Sequence, residues 1–443
     1  MDVTMAPVGK PASFLFAMFQ GGGNIPLILP VAAELVARGH HVRLLAGPNI
    51  RAIKLPVSER FRERIAATGA TAVPFTEPDL HPFDVAPPSR GLAFGWTPRW
   101  LTRSVTNVPT LAWAPAWADN VTAELGSVST DVLVVDHFLF GALAAGEAAG
   151  VPTAALVHGF YKHRPAPGLP PYCTGLLPAR GPASRVRDAL YDMAIRRIYR
   201  RDGLPPLNRA RRQVGLPPLR TPFDQYDRLA RVLILANAAL DFPVRRLEPN
   251  VRYVGTPFDD AGAAAWESPW PSEDARPLVL VSLSTLPQGQ APILQRILTA
   301  VEPLPVRTLV TLGPTLNASQ FTAPPNVIFE TFVPHASVLP RVAMVVTQCG
   351  MGTMLKALAH AIPLVCVPLQ GDQPDNATRV VSRGAGVRLD RGASPEEIRA
   401  AIQRVLDEPS FRESAQRLGS ALADDDGART AADEIESLVK IPA

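Results

Sequence analysis

Apolar and polar positions along the chain fall into a repeating order: an apolar run of strand length, a loop of small residues, an amphipathic stretch of helix length, then glycine or proline. The first such unit predicts a strand at Ser13–Met18, a helix over Pro26–Arg38 stopped by Gly39, and a strand at Val42–Ala46. A second predicts a strand at Val132–Val135, a helix over Phe140–Ala149 broken at Gly150-Val151-Pro152, and a strand at Thr153–Val157. These strands are unbroken apolar runs, the pattern of a parallel sheet covered on both faces. After Phe258–Pro277, rich in Ala, Pro and Trp without a period, the order restarts with strands at Leu278–Ser282, Arg307–Leu312, Met344–Val346 and Leu364–Val367. The expected architecture is α/β: two doubly wound, Rossmann-like domains facing a central cleft, joined by that linker.

Two stretches break the order. Between Leu80 and Leu125, Trp96, Trp100, Trp113 and Trp117 stand among prolines, and the spacing within each pair puts two indoles on one helical face. Core packing of an inserted helix pair and an aromatic wall for a flat apolar ligand both fit. Arg185–Arg212 carries nine arginines and reads as a solvated helical face, with a docking or membrane-surface patch as the alternative.

Composition narrows the classes. At 443 residues, 47% hydrophobic and 19% charged, the chain can bury two ordinary cores, and its 47 prolines without a Gly-X-Y period imply short stiff connections. An excess of 44 Lys+Arg over 40 Asp+Glu is too small for a nucleic-acid binder. Cys173, Cys349 and Cys366 lack disulfide or zinc spacing, so a cytoplasmic setting is expected. The apolar run Phe14–Phe19 is too short for a signal peptide or a membrane span, so no stable membrane insertion is expected.

Three loops carry chemistry. Gln20-Gly21-Gly22-Gly23-Asn24-Ile25-Pro26 links a strand to a helix, where a crevice opens at the carboxyl end of a parallel sheet. Pro26 stands where a dinucleotide fingerprint needs glycine or alanine, and no Gly-Lys-Ser/Thr loop occurs, so oxidoreductase and NTPase readings lose their motif. Val345 to Thr353 is again strand, small-residue turn and helix start, with Gly350, Gly352 and the Thr353 hydroxyl at the positive end of the helix: an anion site. Downstream, Asp372 and Gln373 combine a carboxylate with an amide at a strand's end, a pair suited to reading neighbouring hydroxyls, though as isolated dipeptides these are turn residues.

Taken together, Pro334-His335, Gly350-x-Gly352-Thr353, Ala357-Leu358, Pro363, Pro368, Asp372-Gln373, Asn376-Ala377 and Gly384-x-Gly386 resemble the donor-binding signature of family 1 glycosyltransferases with the GT-B fold. The likeness extends over essentially the whole chain, because the glycine-rich loop before Pro26, Arg38-Gly39-His40-His41-Val42, and Asp136 with Gly141 are similar to the acceptor domain of antibiotic glycosyltransferases. It implies an acceptor domain at 1–257, a linker at 258–277, a donor domain at 278–425 and a C-terminal helix at 426–443 crossing back to the first domain. It also implies diphosphate contacts from Gln348, Gly350, Gly352, Thr353, Ser284 and Thr285, sugar contacts from Asp372 and Gln373, base contacts from Phe332 and Val333, and acceptor contacts from Gly22, Gly23 and Asn24, to which the aromatic-wall reading adds Trp96 and Trp100.

Two departures stand out. Where most members carry a histidine base this chain has Gly23, so Asp136 is expected to act as base itself with His137 beside it, partial burial raising its pKa; an Asx cap on the next helix is the other reading. Gln348 replaces a histidine that donates to a phosphate oxygen, and Lys356 one turn on adds a cation to the same helix. The resemblance thus implies an inverting transfer from a UDP- or dTDP-sugar to a phenolic or polyketide-like acceptor, O- or C-linked. No cofactor and no metal are expected, since no Asp-x-Asp pair precedes the donor motif. The partners are then a nucleotide sugar and an apolar small molecule, with the chain a monomer or homodimer. A catalytically impaired nucleotide-sugar-binding auxiliary protein and a lipid or sterol acceptor stay open as alternatives.

Overall fold

The computed structural model describes residues 10–19, 24–47, 58–76, 108–258, 266–284, 288–423 and 425–439. They divide into two compact units. The first takes in the described chain up to Pro171, residues 178–258 and the stretch from Asp426; the second takes in Tyr172–Leu177 and the described residues from 266 to 425.

In the first unit, β1 (Ser13–Phe19), β2 (His41–Gly47), β3 (Thr71–Val73), β4 (Val132–Asp136), β5 (Thr153–Val157), β6 (Arg231–Ile234) and β7 (Val251–Tyr253) form one sheet. Its order is β3-β2-β1-β4-β5-β6-β7, every pairing parallel. The order runs outward in both directions from the β1/β4 pair, which makes that pair the topological switch point where a crevice opens at the strands' carboxyl ends. The second unit repeats the design with β8 (Leu278–Ser282), β9 (Arg307–Thr311), β10 (Val327–Glu330), β11 (Met344–Thr347), β12 (Leu364–Cys366) and β13 (Gly386–Arg388). Its parallel order, β10-β9-β8-β11-β12-β13, puts the switch point between β8 and β11. Elements expected from periodicity are found with ends within two residues, and residues 266–277 of the expected linker carry neither helix nor strand.

The central strands of each sheet are buried on both faces. Phe14, Phe16 and Met18 of β1 pack with Leu27, Ile28 and Val31 of the helix Ile25–Ala37, and the helix Gly427–Glu436 adds Ala431, Ala432 and Ile435 to the same core. Arg38 reaches Asp433 at 2.6 Å and Glu436 at 2.5 Å, and His40 meets Glu436 at 2.5 Å, so the Arg38-Gly39-His40 turn anchors this C-terminal helix. Gly141 lets the helix Phe140–Ala149 press on Ala114–Ser127: a Cβ there would stand 1.8 Å from the Ala114 carbonyl oxygen. In the second unit, Ile293, Leu294 and Ile297 pack with Val279 and Val281 of β8 and Ile398 and Ile402 of the helix Pro395–Asp407.

Of the two insertions, the first follows the core-packing reading where it is described and the second departs from expectation in part. Trp113 and Trp117 are core residues, with Trp117 4.6 Å from Phe75 between ring centroids, while Trp96 and Trp100 lie outside the described residues. The arginine-rich stretch forms the helices Pro182–Ile198 and Leu204–Gln213, but its reading as a solvated face fails at Arg211. That side chain is fully buried, bonded to Glu147 and Gln225 at 2.7 Å each and to the Pro217 carbonyl at 2.8 Å, because a buried guanidinium needs each of its donors met. The first helix instead exposes Val186, Leu190 and Met193 at helical spacing.

Candidate active site

At the first switch point, side chains from three strand ends converge. Asn24, at the start of the helix after β1, is buried and donates from Nδ2 to the Phe19 carbonyl at 2.7 Å and to Asp136 Oδ2 at 2.8 Å. Asp136 closes β4, and its Oδ1 faces His137 Nδ1 and His158 Nδ1, each at 3.4 Å. His158 follows β5 directly, brought alongside because Asp136 is the register partner of Leu156. The Phe138 amide donates to Oδ1 at only 3.4 Å, and no side chain caps the helix Phe140–Ala149, so the Asx reading accounts for little of this arrangement.

The electrostatics correct the expected pKa. Burial by itself would raise the Asp136 carboxyl, but the charge of His158 and the hydrogen bonds of His137 and His158 outweigh it and hold the group well below the carboxylate range. His137, also fully buried, is pushed down to about 3 chiefly by desolvation, against the pull of Asp136, so it is a neutral ring at working pH. Its Nδ1 lies 3.2 Å from the Leu156 carbonyl oxygen and its Nε2 is sealed without a partner. His158 keeps some exposure, 14% of its side chain against none for Asp136 and His137. Ligand atoms of the three groups lie within 4.8 Å of one another, a spacing that suits a proton relay and that a divalent ion could also use.

The second switch point is built from backbone. β11 ends at Thr347, Cys349 turns the chain with φ of +67°, and Gly350 starts the helix Met351–Ala359. A left-handed non-glycine residue is costly, and here the Asn376 amide stabilises it by donating to the Cys349 carbonyl at 3.0 Å. The first N–H groups of that helix have no side-chain cap, and a Cβ at Gly352 would meet nothing within 4 Å, so an anion can approach the backbone. Gln348 accepts from Thr347 Oγ1 at 2.9 Å through Oε1, which leaves its Nε2 beside Gly350 as one more donor.

Asp372 and Gln373 have different tasks. Asp372 is part-exposed before the helix Gln373–Ser382 and takes the Asn376 amide at 3.2 Å on one oxygen. Gln373 is buried; its Oε1 accepts from the Leu369 and Gln370 amides at 2.8 and 3.0 Å, and its Nε2 donates to Gln288 Oε1 at 2.9 Å. Its amide shapes the loop before it. Ser284 is buried past β8, Val333 is buried after β10, and Phe332 beside it is 58% exposed. Thr285, Gly22 and Gly23 lie outside the described residues.

Sequence reasoning missed two features. His158 carried a signal, a lone histidine one residue past an apolar strand at the sheet's carboxyl end, but its nearness to Asp136 depends on register. The other is a clasp on the second unit: Asp375 accepts from the Cys173 and Gly175 amides at 2.6 Å each, and the Thr378 hydroxyl donates to the Gly175 carbonyl at 2.8 Å. Burial raises the Asp375 carboxyl to about 6, against the lowering pull of Arg379 and the two amides.

Comparison with known proteins adds the family context. Residues 295–438 match the model of the erythromycin biosynthesis protein CIII-like C-terminal domain. The chain is 32% identical over 440 residues to the 4'-demethylrebeccamycin synthase of Lentzea aerocolonigenes, covering 97% of this chain and 100% of that one. Among solved structures it resembles the glycotransferase of kitacinnamycin, with a TM-score of 0.72 at 22% identity over 97% of this chain and 99% of that one. It also resembles the glycosyltransferase VinC, solved in complex with dTDP, with a TM-score of 0.66 at 18% identity over 96% and 99%. No helix among the described residues is long and apolar enough to cross a membrane.

Proposed function

From the premise that the chain belongs to the family 1 natural-product glycosyltransferases of GT-B fold, we propose that it transfers a sugar from a nucleoside diphosphate sugar to an apolar small molecule. The acceptor group is a phenolic or polyketide-type hydroxyl or ring carbon, and the anomeric centre inverts. One observation carries the donor half of this reading: the uncapped helix start at Gly350–Thr353, open at Gly352 and flanked by the Gln348 amide, collects donors where a diphosphate's negative charge would lie. A neighbour of the same fold that holds dTDP supports it.

In the proposed reaction these N–H groups stabilise the diphosphate as it leaves, so no metal is required for that charge. Asp372, part-exposed at the next strand end, accepts hydroxyl protons of the sugar, while Gln373 holds the loop that presents it. Phe332 offers an exposed ring to the base, beside Val333. At the other switch point, Asp136 supplies the negative charge that draws the acceptor proton away.

Titration calorimetry with UDP, dTDP and their glucose conjugates, followed by assays with phenolic acceptors in the presence of EDTA, tests the reading. Micromolar binding of one diphosphate, acceptor-dependent release of it without added metal, and an inverted anomeric configuration by NMR are expected. Loss of transfer on chelation would remove the metal-free step, and no binding of either diphosphate would remove the donor assignment.

A further inference from the structure

We propose that His158 is the residue that takes the acceptor's proton, with Asp136 as the fixed charge behind it and Asn24 as the group that fixes the carboxylate. This rests on the transfer reading above. Three observations in the first unit converge on it.

The first is access. A base must touch the proton it removes, and Asp136 is fully buried, with Oδ2 held by Asn24 at 2.8 Å and Oδ1 turned toward two imidazoles. His137 is equally sealed. Of the three clustered groups only His158 retains exposure, and its Nδ1 is buried toward the carboxylate, so what is exposed lies on the ring's other edges.

The second is orientation. A carboxylate beside Nδ1 favours the tautomer with the proton on that nitrogen, which leaves Nε2 with a lone pair. The 3.4 Å separation is longer than a tight hydrogen bond, as free catalytic pairs commonly are before substrate draws them together. Asp136 stays ionised throughout the working range, because the imidazoles hold it low.

The third is the sheet. His158 stands at the carboxyl end of β5, next to β4 and one strand from the switch point, and this edge of a doubly wound sheet is where ligands meet it. Position 23, where the resemblance leads to a histidine, is glycine; the imidazole reaches the same carboxylate from a different strand. In the proposed step the acceptor O–H bond breaks and its proton passes to His158 Nε2. The freed electron pair forms the bond to the anomeric carbon, and the anomeric C–O bond breaks with its electrons leaving on the diphosphate.

The test uses the full chain with UDP-glucose and dTDP-glucose as donors and 4-nitrophenol and 2-chloro-4-nitrophenol as acceptors. His158→Gln is expected to lower kcat by about 100-fold or more with donor affinity unchanged by calorimetry. The loss should be smaller for the more acidic chlorinated phenol, and added imidazole should partly restore His158→Ala. Transfer within threefold of wild type in His158→Gln would overturn the assignment, as would loss on chelation with recovery on adding a divalent ion, the three groups then being ligands. A second readout needs no turnover: diethyl pyrocarbonate should label His158 and spare His137 and the likewise buried His163, and a resistant His158 overturns the proposal. Failure of wild type to bind either diphosphate strikes the donor reading instead, leaving the labelling result to decide this one.

Discussion

Asp136 and Asp375 are both fully buried carboxylates near the carboxyl ends of parallel strands, yet their affinities for a proton move in opposite directions. Burial works against the charge in each. At Asp136 the imidazole of His158, joined by the hydrogen bonds of His137 and His158, reverses it; at Asp375 two backbone amides at 2.6 Å and the charge of Arg379 do not. Dipoles offset the lost hydration of a carboxylate only in part, and Asp372 nearby adds repulsion. One carboxylate is thereby kept as a permanent charge. The other is a joint that holds Tyr172–Leu177 to the second unit and becomes titratable within two units of neutrality.

The largest effect expected from this contrast is on turnover. Asp136→Asn should lower kcat by about 10²–10⁴-fold while leaving diphosphate binding intact, and combining it with His158→Gln should cost little more than the worse single change, since the pair acts as a unit. Rates that multiply in the double variant would separate the two residues. Asp375→Asn should leave kcat near wild type if its carboxylate only holds the clasp.

The next effect is on stability against pH. Asp375 has a folded pKa raised from 3.8 to about 6, so its contribution is present below the unfolded value and lost as pH rises from about 4 to about 6, by about 3 kcal/mol at most. Asp136 has the opposite sign: its contribution is present above the ordinary carboxylate range and lost as pH falls through and below it. Thermal midpoints of wild type and Asp375→Asn measured from pH 4 to 7 should converge toward the upper end. Curves that stay parallel would show that Asp375 keeps an ordinary pKa.

The smallest effects come from one substitution made in each unit. Gly141→Ala should destabilise by about 1–3 kcal/mol in urea unfolding, because the new methyl meets the rigid Ala114 carbonyl. Gly352→Ala meets open space and should leave the unfolding free energy within about 0.5 kcal/mol while weakening diphosphate binding, as a methyl stands where the anion approaches the helix start. Equal losses of stability would erase the distinction between a packing glycine and a site glycine.

Much of this was legible in the residues. Strands such as Thr153–Val157 and Leu278–Ser282 and the helix Phe140–Ala149 have the expected bounds, because an unbroken apolar run and a Gly-x-Pro stop act locally. The short strands β3, β7 and β13, three residues each, have too little pattern to announce themselves and exist because a neighbour's edge pairs with them. Asp372 and Gln373 stand at the strand's end where their residues placed them, but that Gln373 spends its amide on the loop was not legible.

By itself the sequence determined the β-α alternation, the two switch-point loops and the chemistry able to stand on them, since periodicity and turn residues act over a few positions. Only tertiary structure decided which charges meet. His158 lies 22 positions from Asp136 and Cys173 lies 202 from Asp375, and nothing local encodes either distance. Parallel register brings the first pair together across one strand spacing, and backbone hydrogen bonding closes the second. Burial then sets each carboxylate's charge, a property of the assembled surroundings that no aspartate carries alone.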